Sequence, residues 1–200
     1  MDAVNHHADH PGFAGLTGLV IGLIMSLAGR PAARLAADVA AVSDADWVID
    51  IGCGPGTAVR EAARRGAHVT GVDPAPVMLR LARILTGDRP AITWVDGAAE
   101  DLRERHASAT VVWSLASVHH WRDVTAGLAE ITRVLAPAGR FVAIERLVRP
   151  GATGLASHGW TAQQAESFAA QCLAAGLADV RVENHTPGRR ALVVVRAVRP

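Results

Sequence analysis

From Asp46 onward, short apolar runs alternate with stretches whose apolar residues recur every three or four positions. Asp46–Ile51 (DWVIDI) has the length and continuous hydrophobicity of a buried strand, and a glycine-rich turn follows it. Thr57–Arg65 reads as a short helix stopped by Gly66, and Ala67–Val72 as a second strand. Pro74–Leu85 reads as a helix with Val77, Leu81 and Ile84 on its inner face. Ala91–Val95 and Ala109–Trp113 are the third and fourth strands. In Asp123–Leu135, Val124, Leu128, Ile131 and Leu135 fall on one helical face, and Pro137-Ala138-Gly139 separates that helix from a fifth strand, Arg140–Glu145. Thr161–Ala175 is helical up to Gly176, and Asp179–Glu183 and Ala191–Ala197 are two last strands joined by a Pro187-Gly188 turn. Strands and helices of these lengths in alternation predict a parallel sheet covered on both faces. No internal repeat breaks the pattern.

The first 45 residues follow a different rule, so the chain divides into a segment 1–45 and a domain 46–200. Pro11–Gly29 carries no charge, yet five glycines interrupt it, and Asp2, His6, His7, Asp9 and His10 precede it in place of a basic start. It reads as a soluble helical cap or interface segment, with contact to a membrane surface as the alternative and a true span last; for the chain's partner state, a homodimer stays open. Across 200 residues, 20 Arg oppose 19 acidic residues and there is no Lys, which fits a GC-rich bacterial coding sequence. A net charge of +1 argues against nucleic acid as a partner. Two cysteines, Cys53 and Cys172, cannot build a disulfide framework, which suits a reducing cytoplasm.

The chemistry concentrates around Val48-Ile49-Asp50-Ile51-Gly52-Cys53-Gly54-Pro55-Gly56, where a strand gives way to a helix. Glycines there let a ligand approach the backbone, and the helix start offers unpaired N–H groups. Asp73 ends the second strand, 21 residues after Gly52, where a carboxylate can accept bonds from two ribose hydroxyls. A dinucleotide fingerprint would need its third glycine at Thr57. Asp50, an anion beside the loop, suits a cationic amino-acid moiety better than a pyrophosphate. A nicotinamide-dependent oxidoreductase and a non-catalytic, membrane-recruited binding protein remain as alternatives.

These stretches resemble the class I S-adenosylmethionine-dependent methyltransferases. VIDIGCGPG looks like their first motif, VTGVDPAPVML like the ribose-binding segment, WVDGAAEDL like the adenine side, VVWSLASVHHW like the fourth-strand motif of the small-molecule branch, and EITRVLAPAGRFVAIE like the helix and strand that follow. The resemblance covers residues 46 to 146 most closely. It implies a Rossmann-like, doubly wound, seven-stranded and mainly parallel sheet with an N-terminal helical cap, and S-adenosyl-L-methionine as cofactor with S-adenosyl-L-homocysteine as product. It would place Asp50 and Gly52 by the methionine amino and carboxylate groups and let the cofactor pass Gly54 and Gly56. Asp73 would take the ribose, Pro74 and Met78 one adenine face, and the Ala99 N–H an adenine nitrogen, with Ser114 on the cofactor side. The chain departs from the family pattern at Ala98, where an acid is usual and Glu100 is the nearest substitute, and at Ala109, Thr110 and Ala138.

Methyl transfer needs an aligned acceptor and, for oxygen, a base. His119 and His120, in the loop after the fourth strand, are the catalytic candidates, with Glu145 at the end of the fifth strand a weaker one. Trp113, Trp121 and Trp160 line the site or fill the core. The chain calls for no metal: His6, His7 and His10 read as a solvated tail, His158 and His185 as surface or loop residues, and Cys53 as a filler. Ser114-Leu115-Ala116-Ser117 stands where base-modifying relatives carry N/D-P-P-Y. The expected acceptor is therefore a small molecule with an oxygen or carbon nucleophile, hydrophobic if the apolar segment caps the crevice.

Overall fold

A computed structural model describes residues 4–6, 26–188 and 190–200. The stretch Pro11–Gly29, read from sequence as a cap, lies mostly outside them. Among the described residues no helix is long and apolar enough to cross a membrane.

Seven strands form one sheet: β1 (Trp47–Ile51), β2 (His68–Asp73), β3 (Ile92–Asp96), β4 (Ala109–Leu115), β5 (Leu135–Arg146), β6 (Ala178–His185) and β7 (Leu192–Val198), in the order β3-β2-β1-β4-β5-β7-β6. The first five are parallel; β7 runs antiparallel to both β5 and β6. Helices among the described residues include α1 (Arg30–Val39), α2 (Thr57–Arg64), α3 (Pro76–Thr86), α4 (Val124–Val134) and α5 (Ala162–Ala174). Side chains alternate between the faces of each central strand. Val111 and Trp113 of β4, with Val142 and Ile144 of β5, join Ala33, Ala36 and Ala37 of α1 and Ala58 and Ala62 of α2 in one core. Val112, Phe141 and Ala143 join Leu128 and Ile131 of α4 and Trp160 and Phe168 in the other. Strand order reverses between β1 and β4, which opens a crevice at their carboxyl ends.

Three expectations change. Helix α3 begins at Pro76, not Pro74, because Asp73 Oδ1 accepts the Ala75 N–H at 2.9 Å and holds that residue extended. Its buried face is Met78, Leu79, Leu81 and Ala82, whereas Ile84 is 69% exposed, so the helix rests on the sheet one position later than its apolar spacing suggested. Residues 137–139 do not separate α4 from the fifth strand. The chain passes from α4 straight into β5 at Leu135, opposite Ala109, and the turn lies inside the strand because the Ala138 N–H and Gly139 carbonyl pair with the backbone of Arg199, each at 2.9 Å.

Candidate active site

The glycine loop is tied to the end of β2 by its own backbone. Gly52 N–H and Cys53 N–H both donate to the Val72 carbonyl, at 2.8 and 3.0 Å, and Gly54 N–H donates to Asp73 Oδ2 at 2.8 Å. Asp50, Gly52, Gly54 and Asp73 are therefore one unit at the crevice. Gly52 has φ +69°, and a Cβ there would fall 1.9 Å from Ser117 Oγ. A Cβ on Gly56 would come 2.3 Å from Trp94. Sequence alone did not pair Ser117 or Trp94 with these glycines, since a packing partner of a glycine leaves no pattern along the chain.

The two acids share a dry environment. Asp50 is buried, and its Oδ2 has no hydrogen-bond partner among the described residues. Burial first, and then the charge of Asp73, pushes its carboxyl up to about 8. Burial also raises Asp73, against the lowering effect of the Ala75 and Gly54 N–H groups. A site with an orphaned acidic oxygen beside a second carboxyl stabilises a cation, and a sulfonium compound bearing an ammonium group fits it. A pyrophosphate does not.

This gives a proton-linkage prediction. Near neutrality the ligand-free protein holds Asp50 protonated, so its contribution to stability is full below the ordinary carboxyl value of about 3.9 and is lost as pH rises through about 8. An ammonium at Asp50 favours the carboxylate. Binding of S-adenosylhomocysteine at pH 7 is expected to release a proton, detected as a binding enthalpy that depends on the buffer's ionisation heat. Asp50→Asn should remove that dependence.

Of the other cofactor-side expectations, Met78 is fully buried on the inner face of α3, Pro74 sits exposed on the rim, and Ala98 forms a bridge with Asp101. Ala99 is buried, and Ser114 is a fully buried hydroxyl with no partner among the described residues. Glu100, the substitute suggested for an acid at Ala98, is engaged at the start of α4. Its Oε1 accepts the N–H groups of Arg122 (2.7 Å) and Asp123 (3.0 Å), which fixes the chain entering α4. Cys53 is buried and free, and burial raises its thiol well above the ordinary range, as expected of a filler.

On the acceptor side a 3₁₀ turn, Val118–His120, follows Ser117 and so lies against the glycine loop. His119 is buried, with its Nδ1 2.9 Å from Oε2 of the equally buried Glu145 at the end of β5. His120 is half-buried, its ring centroid 4.2 Å from that of His119. His6 is not in a solvated tail: its Nε2 donates to the Ser157 carbonyl at 3.0 Å, its Nδ1 accepts from Gln164 at 3.2 Å, and its ring stacks on His119. Val4 is buried beside it and its carbonyl accepts the Trp160 indole N–H at 2.9 Å. His158 packs edge-on against His119. His185 lies within β6, paired with Glu183 at 3.3 Å. Trp113 and Trp160 are wholly buried in the two cores, and Trp121 bonds Ser117 Oγ at 3.3 Å.

Residues 49–143 match the family model described as a methyltransferase domain. Just under half of the chain is thus similar to methyltransferase domains. It is 32% identical over 131 residues to the demethylmenaquinone methyltransferase of Tropheryma whipplei (strain Twist), covering 64% of this chain and 52% of that protein. It is 34% identical over 97 residues to the ubiquinone biosynthesis O-methyltransferase of Maricaulis maris (strain MCS10), covering 48% of this chain and 38% of the other. The chain thus spans about half, or less, of the length of these relatives. The structure of Haemonchus contortus phosphoethanolamine N-methyltransferase 2 in complex with S-adenosyl-L-methionine superposes with a TM-score of 0.74 at 17% identity, covering 100% of this chain and 60% of that one, which shows a common fold. The match to a methyltransferase domain supports S-adenosyl-L-methionine as the cofactor over the nicotinamide reading of the glycine loop.

Proposed function

We propose that the chain transfers a methyl group from S-adenosyl-L-methionine to an oxygen or carbon nucleophile of a small molecule, with His119 as the base. The observation that carries this reading is the buried His119–Glu145 pair beside the glycine loop. Two relatives named for steps on a demethylmenaquinone and in ubiquinone biosynthesis support a small-molecule acceptor.

Asp73 would hold the ribose and Asp50 the amino group, while the glycines leave room for the cofactor's chain. The cofactor supplies an electrophilic methyl group. The protein's task is to align the acceptor and exclude water, worth up to roughly 7–11 kcal/mol in favourable cases. Glu145 accepts the His119 Nδ1–H, which makes Nε2 the basic nitrogen that takes the acceptor's proton. The segment 1–45 belongs to this reading as a cap on the domain 46–200. Residues 4–6 already reach the acceptor side through His6 and Val4.

The test is transfer of tritiated methyl from S-adenosyl-L-methionine into the small-molecule fraction of a cell extract. His119→Ala should lower turnover about 10²–10⁴-fold, and S-adenosylhomocysteine affinity should hold. Label appearing only in protein or nucleic acid would overturn the assignment.

A further inference from the structure

The structure assigns a second role to the acceptor-side histidines: we propose that His119, His120 and His158 form a binding site for a first-row divalent transition cation, zinc in particular. One ring nitrogen from each of the three lies within 4.8 Å of the others. Around a tetrahedral zinc, with Zn–N bonds of about 2.0–2.1 Å, ligand nitrogens stand roughly 3.3 Å apart, so modest ring rotations close the difference. Three imidazoles with a fourth position left for water or substrate are also the ligand set of a catalytic zinc site. An all-imidazole set selects zinc, copper, nickel or iron over magnesium or calcium.

The surroundings support ligation as much as the three rings do. Glu145 Oε2 lies 2.9 Å from His119 Nδ1, the carboxylate–histidine arrangement that fixes a ligand's tautomer and orients the other nitrogen, here Nε2, for a cation. His119 and His120 sit on one 3₁₀ turn. His158 comes from a loop locked to β5 in three ways. Trp160 N–H donates to the Arg146 carbonyl at 2.9 Å. Val148 N–H donates to the Trp160 carbonyl at 2.8 Å. At Gly159 a Cβ would fall 2.2 Å from the Arg146 carbonyl oxygen. The three donors are therefore carried on braced backbone. His6 stacks on the cluster but uses both ring nitrogens, on Ser157 and Gln164, so it walls the site and is not a fourth ligand.

A cation held here would occupy His119 Nε2, so the loaded protein would stabilise an acceptor oxyanion through the open position in place of proton transfer to His119. That consequence rests on the proposed methyl transfer; the binding does not, and its test reads no turnover. The full-length protein is stripped with a chelator and titrated with cobalt(II) chloride while visible absorption is followed. One equivalent should bind with the intense bands of a four- or five-coordinate ion, and zinc chloride should bleach them. His120→Ala and His158→Ala should each weaken cobalt binding by more than about a hundredfold, and Glu145→Gln by about 10–100-fold. His185→Ala should leave it unchanged. Circular dichroism checks that each variant is folded. Failure of the native protein to bind cobalt saturably at millimolar concentration overturns the proposal. Unaltered affinity in the His120→Ala/His158→Ala double variant also does so, because the ion would then be held elsewhere.

Discussion

Replacing Asp73 by alanine is expected to weaken S-adenosylhomocysteine binding by about 10²–10⁴-fold. A carboxylate that accepts two ribose hydroxyls contributes roughly 1.5–3 kcal/mol per charge-assisted bond, and about 1.4 kcal/mol is a factor of ten. The same carboxyl holds the Gly54 and Ala75 N–H groups, so the alanine variant also loosens the loop and the start of α3. Asp73→Asn separates the two effects, since its amide oxygen can keep one backbone bond without the charge. Calorimetry with S-adenosylhomocysteine, paired with thermal unfolding, checks both. Affinity within threefold of native in the alanine variant would break the assignment of this acid to the ribose.

The second large effect is on stability. Gly52→Ala is expected to cost about 2–5 kcal/mol in urea unfolding. At φ +69° a residue with a Cβ pays roughly 1–2 kcal/mol. The new methyl would also displace Ser117, whose Cβ is only 2.5 Å from its position, an overpacking worth about 1–3 kcal/mol. Ser117 leads directly into the turn carrying His119, so turnover should fall with stability. Gly151→Ala is the matched comparison: its φ is +77°, but nothing lies within 4 Å of the added carbon. That variant should show the backbone cost alone, and equal losses at the two positions would rule out the contact with Ser117 as a cause.

The sheet and the joining of the glycine loop to Asp73 were legible in the chain because their signals are local. Period and length marked the strands, and the glycines and Asp73 fall at fixed distances along one stretch. The acceptor side was read only in fragments. His119 and His120 stood out by their place after β4, but Glu145 is 26 residues from His119 and meets it only through the β4–β5 pairing, in which Ser114 faces Ala143. His6 reaches Gln164 across 158 positions. Contacts of that separation depend on tertiary packing, and a polar terminal stretch read alone resembles a solvated tail. Ile84 was misjudged for a related reason: spacing gives a helix face only to within one position.

The position of β7 bears on how the chain must assemble. β7, which follows β6 along the chain, fills a slot between β5 and β6 and pairs with both. Until Leu192–Val198 are in place, β5 presents a row of unsatisfied amide and carbonyl groups at the middle of the future sheet, and β6 has no neighbour. An open edge of that kind invites the equivalent segment of another molecule. Crowded refolding should therefore yield strand-exchanged or aggregated species through this gap, and dilution during renaturation should raise the recovery of monomer.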